Sequence, residues 1–156
     1  MGEPMTENRL EQYIYLKMEV EHQFERIARM KSAEKFAPRR ESDGSQHTAG
    51  DPDRLGKAID RRMEYEEAVK HQLDAAIDEM RKIEAAICSL RDGQERELLR
   101  LRFIDGQEDE DGNGITRLMT WPSVALKMFG SDDEKYVQAA YRIKRRALRN
   151  IGKGEW

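Results

Sequence analysis

Residues 55–90 read LGKAIDRRMEYEEAVKHQLDAAIDEMRKIEAAICSL, and this stretch decides the fold. Leu55, Ile59, Arg62, Glu66, Val69, Leu73, Ala76, Met80, Ile83, Ile87 and Leu90 follow one another in alternating steps of four and three. A seam sustained over this many heptads specifies packing of one long helix on another rather than on a globular face. Arg62 and Glu66 are its two flaws, with Met63 placed to cover the first. Neither Gly nor Pro occurs in residues 57–91. Asp51 and Pro52 are suited to the N-cap and first helical position, so the helix is expected from there to about Leu90. It would be about 57 Å long.

Such a seam needs a partner, and the nearest one precedes it. Residues 5–37 also lack Gly and Pro, and Leu10, Tyr13, Lys17, Val20, Phe24 and Ile27 form a second stripe. The expected helix covers Thr6 to Phe36. Residues 38–51 between the two are polar and turn-forming and read as a flexible loop. The two stripes predict an antiparallel hairpin within one chain, with pairing of two copies through the long helices as the other arrangement.

Composition agrees. Ala, Glu, Lys, Leu and Arg make up 72 of the 156 residues, 38% of residues are charged, and aromatics are 7%. That is the make-up of long helices and argues against a β-sandwich, a barrel or a large α/β enzyme. No apolar run is long enough to span a membrane. The single cysteine, Cys88, excludes an internal disulfide and any multi-cysteine metal site, and among helix formers it reads as a small buried residue. His22, His47 and His71 are scattered, and no phosphate loop or nucleophile–base spacing appears. Neither an enzyme nor a cofactor or metal requirement is expected.

The last third differs in kind. Arg91-Asp92-Gly93 reads as a glycine stop, followed by a short helix Gln94–Ile104. Residues 105–114 form an acidic, glycine-rich loop. Its run from Asp109 to Gly114 resembles the start of a calcium loop, but Thr120 stands where the closing Glu belongs, so a solvated loop is expected. Thr120-Trp121-Pro122 opens a further helix, closed by Phe129-Gly130. Ser131 and Glu134 have the spacing of a capping box that starts a final helix to about Ile151. Two helices joined by a tight turn have the outline of a helix-turn-helix, in which the final helix enters the DNA major groove. Leu98, Leu101, Trp121, Val124, Ala125, Met128, Ala140, Ile143 and Ala147 are its expected core. The expected domains are a hairpin over 1–90 and a trihelical domain over 91–156.

Charge follows the same division. Residues 120–156 carry 8 basic and 4 acidic side chains, against 20 and 27 in residues 1–119. Residues 135–153 hold 7 bases and no acid. On a helical wheel Lys135, Gln138, Arg142, Arg145 and Arg149 fall within about 40° of one centre, opposite Ala140, Ala147 and Ile151. A basic ladder opposite a core face is what phosphate neutralisation requires, and Gln and Arg are suited to base edges.

Three segments also carry a family pattern: Glu95 to Phe103 (EREL-LRLRF), Trp121 to Met128 (WPSVALKM), and Arg145 to Ile151 (RRALRNI). Together they resemble the C-terminal DNA-binding region of sigma-70-type factors, over about residues 91–151. The architecture as a whole is similar to small sigma-like phage and prophage regulators of the ArpU/RinA kind. The resemblance implies a sequence-specific regulator of transcription in the cytoplasm of a bacterial host. It implies double-stranded DNA as partner and bacterial RNA polymerase as a further one. It places Gln138, Tyr141 and Arg142 at positions that read the −35 promoter element, while Val137 could not hydrogen-bond a base. Arg145, Arg146, Arg149 and Lys135 complete the expected DNA-binding set. The acidic loop and the turn at 130–134 are longer than the family pattern, and the chain has no room for a region that melts the −10 element. The alternative is a phage structural or packaging protein that oligomerises by its long helices and holds DNA without sequence preference.

Overall fold

A computed structural model describes residues 2–35 and 53–156. The loop 38–51 with His47, the cap at Asp51-Pro52 and the expected helix end at Phe36 lie outside the described residues. The fold is all-α. Helix α1 spans Glu7–Lys35 and α2 Arg54–Cys88. Helix α3 spans Gly93–Leu99 and continues as a wider, π-helical stretch over Arg100–Asp105. Strands β1 (Gln107–Glu108) and β2 (Thr116–Arg117) follow, then α4 (Trp121–Phe129) and α5 (Glu134–Ile151). The chain divides into two compact units, one of Glu19–Ala75 and one built from the residues up to Met18 together with Ala76–Trp156. The boundary expected between residues 90 and 91 falls inside the second of these.

In the unit Glu19–Ala75, α1 and α2 pack antiparallel. Glu19 pairs with Gln72, Gln23 with Tyr65, Lys31 with Glu66 and Glu34 with Arg62, so the partners move from Gln72 back to Arg62 between the first and last of these pairs as α1 advances. Ile27, Val69 and Leu73 form the buried centre, flanked by Val20 and Tyr65. Lys17 and Phe24 of the α1 stripe are exposed, and next to Phe24 it is Gln23 that faces α2, where its amide oxygen accepts from the Tyr65 hydroxyl. The two flaws in the α2 seam answer each other. Arg62 binds Glu34 at 2.6 Å and Glu66 at 3.1 Å, so no apolar cover is needed and Met63 points outward.

The other unit has one continuous core. Met5, Leu10 and Tyr13 from the start of the chain, Ile83, Ile87 and Leu90 from the end of α2, and Leu98, Phe103, Val124, Ala140 and Ala147 all belong to it. Helix α5 packs on both α3 and α4. Trp121 and Met128, expected inside, are only partly buried at its margin, while Phe103 and Met119 are fully enclosed. Cys88 is exposed rather than buried, with an Arg100 guanidinium nitrogen 3.4 Å from its sulfur.

The punctuation is chemical more than conformational. The glycine stop at Gly93 does not form. Helix α2 ends at Cys88, Arg96 donates to the carbonyls of Leu90 and Arg91, and Asp92 caps α3 by accepting the Gln94 N–H at 2.8 Å. Gly106, by contrast, is required: its φ is 61°, and a Cβ there would lie 2.3 Å from the Arg117 carbonyl oxygen. The acidic segment is a small hairpin, with Gln107 opposite Arg117 and Glu108 opposite Thr116. Arg117 holds Asp109 at 2.9 Å, and no group of three or more His, Cys, Asp or Glu side chains able to hold a metal occurs among the described residues.

Thr120 caps α4 by accepting the Ser123 N–H, and Pro122 sits in its first turn. Gly130 ends it in the left-handed conformation, φ 78°. The capping box at Ser131 is replaced by a tighter turn. Ser131 Oγ accepts the Asp133 N–H, and α5 begins after Asp133.

Candidate nucleic-acid interface

Helix α5 is amphipathic by construction. Val137, Ala140, Ile143, Ala147 and Ile151 are buried, and Lys135, Gln138, Arg142, Arg145 and Arg149 are exposed on the far side. The alternation follows from 3.6 residues per turn acting on a sequence with apolar residues at spacings of three and four.

The seven bases of residues 135–153 meet different fates. Lys144 Nζ binds Glu7 of α1 at 2.7 Å and lies 5.2 Å from the centre of the Trp121 ring. Arg146 binds Glu95 at 2.8 Å and Asp92 at 2.9 Å. Lys153 donates to Asn150 at 3.4 Å, and Lys135 lies over the Tyr136 ring at 4.8 Å. Arg142, Arg145 and Arg149 have no ion pair or hydrogen bond from their side chains among the described residues. They stand at i, i+3 and i+7, so one face of the helix presents three free guanidinium groups.

Two of the three expected base readers, Gln138 and Tyr141, are held more closely. Gln138 Nε2 donates to Glu134 Oε1 at 2.8 Å, one turn earlier. Tyr141 is half-buried, its ring centre 5.1 Å from that of Trp121. Trp121 also takes the Arg102 guanidinium over its face at 4.9 Å. Arg102 donates to the Met119 carbonyl, while its Nε is buried without a hydrogen-bond partner among the described residues. Burial pushes the Arg102 pKa down from its ordinary value, against the opposing fields of Glu11 and Glu7. Arg102, Trp121, Tyr141 and Lys144 thus form one cation–aromatic cluster on the flank of α5 that faces away from Arg146.

Two of these contacts were not legible in the sequence. Glu7–Lys144 and Glu95–Arg146 join residues far apart in the chain, and no local pattern announces either. Glu95 does lie in the family-like ERE segment, which was the only available signal.

The first described residues meet the last ones. Pro4 and Glu155 form an antiparallel bridge, and Arg9 donates to the carbonyls of Glu3, Pro4 and Trp156 while binding Glu79 at 2.8 Å. No helix among the described residues is long and apolar enough to cross a membrane. Comparison of the chain with protein-family models, with curated proteins and with solved structures gives no match.

Proposed function

We propose that this protein is a DNA-binding regulator of transcription that lays α5 in the major groove of double-stranded DNA. The observation that carries the reading is the face of α5 on which Arg142, Arg145 and Arg149 are exposed and, among the described residues, unpaired. Unpaired guanidinium groups aligned along a helix neutralise phosphates and release counterions, which is the main source of affinity for DNA. The preceding turn and α4 support it, because they hold α5 against the core with its opposite face outward. Gln138 and Arg142, nearer the helix start, are the base-reading side chains of this proposal, and Gln138 must release Glu134 to reach a base. Arg145 and Arg149 are the phosphate contacts. The resemblance to sigma-like phage regulators supplies the regulatory role and the bacterial setting.

The test is selection of bound fragments from fragmented bacterial and prophage DNA, followed by binding titrations of the enriched fragment. Arg142→Ala or Gln138→Ala should weaken binding by about 1–3 kcal/mol and relax preference at one or two base pairs. Binding without enrichment of any sequence would favour the packaging alternative. The reading is refuted if the folded quadruple variant Gln138→Ala, Arg142→Ala, Arg145→Ala, Arg149→Ala binds with unchanged affinity at roughly 150 mM salt.

A further inference from the structure

Glu95 is the one polar or charged residue that is fully buried among the described residues, at 2% exposure. A carboxylate in that position is costly unless its oxygens are satisfied. They are satisfied from α5. Arg146 Nε donates at 2.8 Å, and Asn150 Nδ2 donates to both oxygens at 2.9 and 3.1 Å. Asp92, the cap of α3, takes the other end of the same guanidinium at 2.9 Å. Arg146 and Asn150 are one turn apart, so the hold has two points along the helix.

The placement of Arg146 matters because of what lies beside it. It adjoins Arg145 in sequence and sits about 70° around the helix from the centre of the basic face. A long side chain at that angle could swing to a phosphate if nothing restrained it. We propose that Glu95, with Asp92, is a positioning and specificity residue for DNA binding: it holds Arg146 out of phosphate contact, so that the phosphate contacts of α5 are made by Arg145 and Arg149 without Arg146. The inference rests on the DNA-binding reading above. Its physical consequence is a smaller sequence-independent component of binding. Each phosphate neutralised adds about 0.9 to the salt slope whatever the sequence, and a cation paired internally adds nothing.

The experiment measures affinity of the full chain for a random-sequence duplex by fluorescence anisotropy, over roughly 50 to 200 mM salt. Arg149→Ala should lower the slope of log affinity against log salt by about 0.9, and Arg146→Ala should leave it unchanged. Glu95→Gln and Asp92→Asn should each raise it toward one additional phosphate, and Arg146→Ala placed on Glu95→Gln should cancel that rise. A role for Glu95 in folding alone would not move the slope in this way. Circular dichroism reports whether each variant is folded. If Glu95→Gln is not folded, Asp92→Asn decides, since its contact with Arg146 is partly exposed and an asparagine also caps a helix. A fall in slope for Arg146→Ala equal to that of Arg149→Ala overturns the inference and leaves DNA binding intact. An unchanged slope in the folded acid variants overturns it as well. Failure of the unaltered chain to bind the duplex refutes the DNA-binding reading and the inference with it.

Discussion

Leu10→Ala tests whether the trihelical part of the chain depends on the start of α1. Leu10 is fully buried and belongs to the same core as Leu98, Val124 and Ala147. The substitution removes three carbon atoms. At about 0.8 kcal/mol each the transfer loss is about 2.4 kcal/mol, and an incompletely relaxed cavity brings the total to about 3–4 kcal/mol. The chain has two tryptophans, Trp121 and Trp156, and both pack against this core, so their fluorescence follows this unit. With a urea m-value of about 1.5 kcal/mol per molar, the midpoint should fall by about 2 M. The same construction predicts that residues 91–156 expressed alone lose the cover of Met5, Leu10, Tyr13, Ile83 and Ile87 and show no cooperative transition. A midpoint shift below about 0.5 M for Leu10→Ala would mean that α3, α4 and α5 are stable without α1, and the single-core reasoning would be wrong.

Other perturbations address single features. Gly130→Ala should cost about 1–2 kcal/mol from the left-handed backbone, because among the described residues no atom beyond its chain neighbours lies within 4 Å of the added Cβ. Thermal melting should show a drop of several degrees, and Gly130→Asn should lose less. Tyr13, buried and hydrogen-bonded to Glu84, has its pKa raised, first by burial and then by that carboxylate. Its contribution to stability is therefore complete below the unfolded tyrosine value near 10 and is lost as pH rises above it. Tyr13→Phe should flatten the alkaline limb of a stability–pH curve, and an unchanged limb would assign alkaline unfolding to other groups.

Two long helices, two stripes and a terminal helix with a basic face could be read directly from residue spacing, because each is a property of one segment and the 3.6-residue period. The antiparallel pairing was legible too, since neither stripe can be buried alone. Finer choices were decided only in three dimensions. Gln23 rather than Phe24 faces α2, because Tyr65 supplies a hydroxyl there. Helix α2 ends at Cys88, before the expected glycine stop, and Arg96 reaches back to the carbonyls of Leu90 and Arg91 that follow it. The domain boundary moved for the same kind of reason: Leu10 and Ile87 read as hairpin residues, yet the nearest apolar surface available to them is that of α3, α4 and α5. The basic ladder shows the division most clearly. The sequence alone determined that seven bases lie between residues 135 and 153 without an acid among them. Which of them remain free depended on Glu7, Asp92 and Glu95, acids brought to α5 from remote positions, and Coulomb attraction over about 3 Å is felt only once the chain has folded.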